Sequence, residues 1–365
     1  MEQSEMKKIY MVNKRSLAAI SFICLAFGTV AYGYEGYNHT DITGQAINNY
    51  INWASNYIDV VGEYAISCFS NTVIYYSVHE DDGVNWLQHF MDPVTGNGWG
   101  GNPSALSRAL VLWYEGLDWY KEGNYALAYE RLGRVIHLVE DMGVPAHVQL
   151  DAHWWIFGWD MYEARYAPEN PIGDSGINNP ISLPQIINGL ANTSDYYDSN
   201  DVDGVGDQGN RRAGGLEYSE CPPIAQTCYR GAIRSSGAVL KLFYDTVSPA
   251  VGVVYEPQSG TTTSGLVGIS CEVTANSYGN NNYIRFVDVY YNRNDDQSGL
   301  WYWAAILYRN QQTGRFTGKW KNGINDSKVW ICFKAVDNGS CDGIPVYDRW
   351  VKIDSARPTV TNRHK

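Results

Sequence analysis

Charge is scarce in this chain of 365 residues: Asp, Glu, Lys and Arg make up 18%, against about a quarter in ordinary globular proteins. Apolar residues reach 44%, and disordered chains combine low hydrophobicity with high net charge, so a disordered chain is excluded. There is no Lys/Arg-rich stripe and the formal net charge is −12. A stable nucleic-acid complex built on phosphate neutralisation is therefore not expected. Long apolar runs are missing too, apart from one near the N-terminus, which excludes a polytopic membrane protein. The 36 Gly and 13 Pro follow no G-x-y period, which excludes collagen. What is plentiful is aromatic. With 13 Trp, 28 Tyr and 9 Phe, the chain can build dense cores or aromatic-lined sites. At about 150 residues per domain the length suggests two domains.

The N-terminus reads as an address. Lys7, Lys8, Lys14 and Arg15 form a basic stretch ahead of the apolar run Leu17–Val30, and Ala31-Tyr32-Gly33 follows as a small-residue cleavage site. The run is shorter than the roughly 20 residues of a membrane span. Residues 1–33 are expected to be a signal peptide, with Tyr34 the first mature residue and a secreted, periplasmic or extracellular destination. Cys24 leaves with that leader. Cys68, Cys221, Cys228, Cys271, Cys332 and Cys341 remain, and an even number in an exported chain suggests disulfide bonds. The short Cys221/Cys228 span is the best single pair.

The pattern changes near residue 246. Before it, apolar residues recur at helical spacing. Leu106, Leu110, Trp113 and Leu117 mark one helix over Leu106–Tyr120, and Leu127, Leu132, Val135, Ile136 and Val139 a second over Asn124–Met142. Gly143 and Pro145 stop the second, and a third covers Arg230–Tyr244. After residue 246 the period becomes two. Strands are expected at Leu266–Val273, Tyr283–Tyr291, Trp301–Tyr308 and Lys328–Val336, each bounded by Gly, Asn, Asp or Ser. This suggests a β-sandwich over 246–354, with 355–365 a tail or linker. The segment AVDNGS resembles the strand-and-turn end of bacterial immunoglobulin-like domains. Asp245-x-x-x-Pro249-x-Val251 recurs as Asp354-x-x-x-Pro358-x-Val360, a faint repeat one sandwich apart.

Of seven histidines, six fall between positions 39 and 153. The densest stretch contains His137, Asp141, His147, Asp151 and His153. His137 and Asp141, at i and i+4, share a helix face. The break at Gly143 and Pro145 can turn His147 and His153 back toward it. Imidazole and carboxylate without thiolate suit zinc at a hydrolytic site. His79 lies beside the acidic run Glu80-Asp81-Asp82 and reads as a surface or supporting residue. Asp198–Asp207 has calcium-like acidic spacing but misses the EF-hand pattern, so it reads as a solvated loop and Ca²⁺ stays a secondary expectation.

The H-x-x-x-D-x5-H stretch at His137, Asp141 and His147 resembles the zinc-dependent phospholipase C family, which shares its helical fold with the S1/P1 nucleases. His89-Phe-Met-Asp92-Pro93, following the acidic run, is similar to the family's HFYDP segment. His39, ahead of Ile42 and Ala46, matches a third segment. The resemblance covers about 34–245. It implies an all-α catalytic unit over 34–245, which the period-two segment 246–354 then follows as an all-β immunoglobulin-like sandwich. It also implies two to three Zn²⁺ ions. By match, one would take the amine and carbonyl of Tyr34 with His39 and Asp141. A neighbour would take Asp81, His89, His137 and again Asp141. A third would take His147, His153 and Glu163, with Asp160 as the alternative carboxylate. Family members usually begin with Trp, so Tyr34 departs from the pattern. Asp81 can also orient the attacking water, which makes it the candidate catalytic residue. The implied function is an exported zinc phosphodiester hydrolase acting on phospholipid or another phosphodiester, with the sandwich contacting a membrane or cell surface. An S1/P1-like nuclease and a metal-stabilised, non-catalytic surface or binding protein are the alternatives.

Overall fold

The computed structural model describes residues 36–55, 69–82, 85–151, 161–179, 182–199, 216–260, 262–263, 266–275, 278, 284–293, 301–321, 327–337 and 346–353. The leader 1–33, Tyr34, His153, Asp160, Cys68, Cys341, the tail 355–365 and most of the Asp198–Asp207 loop lie outside them.

The first part is helical. Its longer helices are α1 (Gly36–Ser55), α2 (Ser70–Val78), α3 (Ala105–Lys121), α4 (Tyr125–Asp141), α5 (Leu183–Ser194) and α6 (Arg230–Val247). The periodicity over Leu106–Tyr120 and Asn124–Met142 becomes α3 and α4, and Arg230–Tyr244 becomes α6. Ser104 caps α3 by accepting from the Ser107 amide at 3.4 Å. α4 is the central rod. From Val135 to Asp141 every residue is fully buried, His137, Glu140 and Asp141 included, because α1, α2, α3 and α6 pack round it. This last stretch of α4 has no solvent face for its polar residues, so His137, Glu140 and Asp141 end inside the protein, whereas Glu130, Arg131 and Arg134 earlier in the helix stay partly exposed. The expected break follows. The amides of Gly143 and Val144 close on Glu140 and Asp141 carbonyls at 2.8 and 3.0 Å, and Pro145 opens the single turn Pro145–Val148. That turn ends at Leu150, whose φ of 60° fills a left-handed capping position usually given to Gly. The Asp151 amide bonds back to the Ala146 carbonyl at 2.9 Å.

The second part is all-β: β1 (Ala250–Glu256), β2 (Thr262–Thr263), β3 (Leu266–Thr274), β4 (Ile284–Asn292), β5 (Tyr302–Arg309), β6 (Phe316–Lys321), β7 (Ser327–Asp337) and β8 (Val346–Ile353). The strand order is β1-β3-β6-β5-β4-β7-β8-β2. Every pairing is antiparallel except β2 with β8. β5 and β6 pair only at Tyr308–Thr317 and Arg309–Phe316, beside their connecting turn. Beyond it the layers part and face each other over one apolar core of Val254, Ile269, Val287, Leu307, Phe316, Trp320, Ile331 and Phe333. The alternation along β3, with Val267, Ile269 and Cys271 buried, is the period-two pattern that the sequence displays.

The two parts touch. At the last turn of α3 the Tyr120 hydroxyl donates to Asp337 Oδ2 at the end of β7, at 2.7 Å and buried. The Lys121 ammonium lies 6.0 Å from the Tyr278 ring centre.

The expected Cys221–Cys228 disulfide is not formed. Residues 221–229 are continuous helix, as the segments Cys221–Ile224 and Ala225–Tyr229. At ~1.5 Å rise per residue, seven residues separate the two Cα atoms by about 10 Å. A disulfide needs less than about 7 Å. The short span expected to close a disulfide folds instead as two helical turns. Burial pushes the Cys228 thiol up to about 12. Cys271 and Cys332 are likewise buried and unbridged.

Candidate metal centre

The structure gathers seven of the nominated side chains at the inner end of α4. His39 comes from the first turn of α1, and Asp81 from the loop after α2. His89 follows a short turn at Asn85–Gln88. His137 and Asp141 come from α4, His147 from the Pro145–Val148 turn, and Glu163 from the helical segment Tyr162–Tyr166. All seven are essentially fully buried.

They form three overlapping ligand groups: His39, His137 and Asp141; Asp81, His89 and His137; Asp141, His147 and Glu163. Within each group the donor atoms lie within 4.8 Å of one another. His137 belongs to the first two groups and Asp141 to the first and third, so the three form one connected centre. Asp141 Oδ2 is 3.0 Å from His89 Nδ1 and 3.2 Å from His137 Nε2. Asp141 Oδ1 is 3.6 Å from His39 Nε2. Asp81 Oδ1 lies 3.1 Å from His89 Nδ1 and 3.6 Å from His137 Nε2. His147 Nε2 is 3.5 Å from Glu163 Oε1.

These spacings fit zinc. Two ligands ~2.0–2.1 Å from one tetrahedral ion stand roughly 3.3 Å apart, and the pairs above bracket that value. The donor set is imidazole and carboxylate. Asp81 Oδ1 and both Asp141 carboxylate oxygens are buried with no hydrogen-bond partner of good geometry among the described residues. Buried polar atoms are normally satisfied, and bound cations would satisfy these.

The imidazoles are oriented from behind. The Nδ1–H of His137 donates to the Ser77 carbonyl at 2.6 Å, and that of His147 to the His89 carbonyl at 3.1 Å. His39 Nδ1 meets Glu140 Oε2 at 2.6 Å. Each bond leaves Nε2 as the lone pair facing the centre, which is how metal-binding histidines are usually held. Phe90 stacks on His147, with ring centres 4.7 Å apart, and His39 stacks on His137 at 4.0 Å. In the metal-free protein the charges compensate one another. Burial pushes the His89 imidazole down, but the adjacent Asp141 and Asp81 carboxylates raise it to about 9. Burial likewise opposes the charge on Asp141, yet His137, His147 and His89 hold its carboxyl well below the usual range.

Other nominated residues fall elsewhere. Tyr34, His153 and the alternative carboxylate Asp160 lie outside the described residues. His79 donates to its own helix at the Tyr75 carbonyl, 2.7 Å away, and stacks on that tyrosine. Asp92 folds its own loop by accepting from Val94 N and Thr95 Oγ1 at 2.8 and 2.7 Å.

Two buried carboxylates were not singled out in the sequence. Glu140 touches His39. Glu80 is clamped by Arg108 Nε and Arg134 Nη1, both at 2.8 Å, on two different helices, which anchors the loop carrying Asp81. The signal for Glu140 was its place inside the buried stripe of α4, three residues after His137.

No protein-family profile matches the chain, and no curated protein matches it in sequence. Among solved structures it is similar to the alpha toxin of Clostridium absonum, at 13% identity and a TM-score of 0.37, over 88% of this chain and 98% of that one. It is similar also to the alpha-toxin of Clostridium perfringens from avian strain SWCP, at 14% identity and the same TM-score and coverage. The fibronectin(III)-like modules of Clostridium thermocellum CbhA match 33% of this chain and 52% of theirs, at 16% identity and a TM-score of 0.22. The first two likenesses span both the helical and the β part, and a similarity of this size assigns no activity.

Proposed function

We propose that the chain is an exported zinc-dependent phosphodiester hydrolase of the phospholipase C type. The observation that carries the reading is the sharing of Asp141 and His137 between overlapping ligand groups, since a shared carboxylate is what holds metal ions close enough to act on one phosphate. His39, Asp81, His89, His137, Asp141, His147 and Glu163 would hold two to three Zn²⁺ ions, with the Tyr34 amine and carbonyl and His153 completing the outer two. Zinc, when bound, lowers the pKa of a water ligand toward 7 and offsets the negative charge of a phosphodiester.

The chain's own residues supply the rest. Ser77 O, His89 O and Glu140 fix the ligand imidazoles, so little reorganises during the reaction. Asp81, which enters from the loop after α2, would orient the attacking water through its carboxylate. Phe90 against His147, with Trp99 and Trp86 beyond it at ring separations of 6.2 Å each, gives an apolar wall beside the centre. In this reading the catalytic unit is 34–245 and the sandwich 246–354 meets the substrate surface. The exposed Tyr302, Trp303 and Tyr308 of β5 support that contact.

The test is metal analysis of the purified full-length chain, together with hydrolysis of a chromogenic phosphocholine ester, single-stranded DNA and RNA. Two to three zinc ions and ester cleavage are expected, and His137→Ala should lose at least one ion and most of the activity. Cleavage of the nucleic acids alone would redirect the reading to a nuclease. Zinc uptake without turnover on any of the three would leave a metal-stabilised binding protein. A metal-free chain whose melting ignores chelator would overturn it.

A further inference from the structure

We infer that Glu140 is a positioning residue that sets the tautomer and aim of His39 toward the metal centre, an inference that rests on the metal-binding reading above. Glu140 precedes Asp141 on α4. Consecutive helical residues diverge by about 100°, so Asp141 enters the cluster while Glu140 points into the seam between α4, α1 and α6. Its side chain is fully buried and its oxygens are engaged. Oε1 accepts from Thr43 Oγ1 of α1 at 2.7 Å and from Ser236 Oγ of α6 at 3.3 Å. Oε2 faces His39 Nδ1 at 2.6 Å. With its oxygens used in this way, and with no place in any of the three ligand groups, Glu140 is not itself a ligand.

Its effect passes through the imidazole. With two hydroxyls donating to one oxygen, Glu140 stands as an acceptor toward His39, so Nδ1 carries the hydrogen. Nε2 is then the lone pair, 3.6 Å from Asp141 Oδ1. Stacking on His137 at an interplanar angle of 23° fixes the plane of the same ring. His137 and His147 are held by backbone carbonyls. His39 alone of these three is held by a carboxylate, the stronger acceptor, which makes it the more basic ligand. A fully buried carboxylate carries a desolvation cost that Leu or Ala would avoid, and a metal-positioning role accounts for its presence.

The experiment measures Zn²⁺ affinity of the full-length chain by competition with a chromogenic chelator, for wild type, Glu140→Gln, His39→Ala and the double variant. Glu140→Gln should weaken one site about 10- to 100-fold, while metal-free melting stays equal or rises because a buried charge is gone. In the His39→Ala background the same change should alter affinity less than about twofold, since the residue through which it acts is absent. Thr43→Val keeps the carboxylate but removes one of its donors. It should weaken the same site by about threefold, and it serves if Glu140→Gln does not fold. Wild type that binds zinc beside a Glu140→Gln variant that binds it equally well would overturn this inference alone. An undiminished loss in the His39→Ala background would do the same. Wild type that takes up no zinc would overturn the metal-centre reading, and this with it.

Discussion

The two parts of this chain bury different things. The centre of the helical part holds His39, Glu80, Asp81, His89, His137, Glu140, Asp141, His147 and Glu163, all nearly or fully removed from solvent. The centre of the β part is apolar, and among the described residues its buried acidic and basic side chains are Lys334 and Asp337, with Asp337 bonded to Tyr120. Both parts gain from apolar burial at roughly 25 cal/mol per Å². Only the helical part must also neutralise a cluster of carboxylates at low dielectric. On the metal-centre reading proposed above, a bound cation would supply part of the stability of the helical part, whereas the sandwich core is built on apolar packing.

The largest effect that can break this contrast is metal removal. At a thousandfold excess of free zinc over Kd, one site contributes about 4 kcal/mol, which is roughly 10 °C in a unit of this size. Calorimetry with and without chelator should show the helical transition falling by at least that much, with the strand signal following only as far as the Tyr120–Asp337 contact couples them. Re-uptake depends on pH with a definite sign. His89 is raised to about 9 in the metal-free protein, so at pH 7 zinc displaces a proton, and affinity tightens as pH rises toward that value. Chelator that leaves the whole profile unmoved, or uptake without proton release, would dissolve the distinction between the two cores.

Next in size is the mirror experiment. Phe316 is fully buried where β5 and β6 meet, and Phe316→Ala should cost about 3–5 kcal/mol. Urea unfolding should register that loss while zinc content stays at the wild-type value. A fall in bound zinc would mean that the sandwich helps to form the centre.

How much of this was legible in the sequence follows from the range of the forces. α3, α4 and α6 and four strands were visible because each carries its own apolar period. The grouping of candidate ligands was visible where they cluster locally, from His137 to His147. Glu163 and Asp81 needed a family resemblance, since nothing local marks a carboxylate that meets its partners only after folding. Glu140 was hidden because Thr43 and Ser236 lie on helices distant in sequence. The Cys221–Cys228 pairing failed because proximity in sequence was taken for proximity in space, and a helix keeps those residues apart. Leu150 could not be read as a stop, because the left-handed position it fills usually announces itself as Gly.

The smallest effect concerns how closely α2 approaches α4. Gly133 stands one turn before His137 on the same face of α4. A Cβ there would lie 2.5 Å from the Val73 carbonyl oxygen, 3.0 Å from Tyr76 Cβ and 3.2 Å from the Ser77 amide. Two of these are backbone atoms, which no rotamer change can move. Gly133→Ala must therefore push α2 away, and α2 supplies the Ser77 carbonyl that holds His137 Nδ1 at 2.6 Å. Overpacking costs about 1–3 kcal/mol, and the better helix propensity of Ala returns up to about 1 kcal/mol. The net change in melting should be only a few degrees. Zinc affinity should fall further than that, by about tenfold, because His137 serves two ligand groups. Gly189→Ala on α5, where a Cβ meets nothing within 4 Å, is the control and should leave zinc binding unchanged. If Gly133→Ala melts lower yet binds zinc like wild type, the close approach of α2 serves packing alone, and the helical part is less devoted to its centre than the contrast with the sandwich implies.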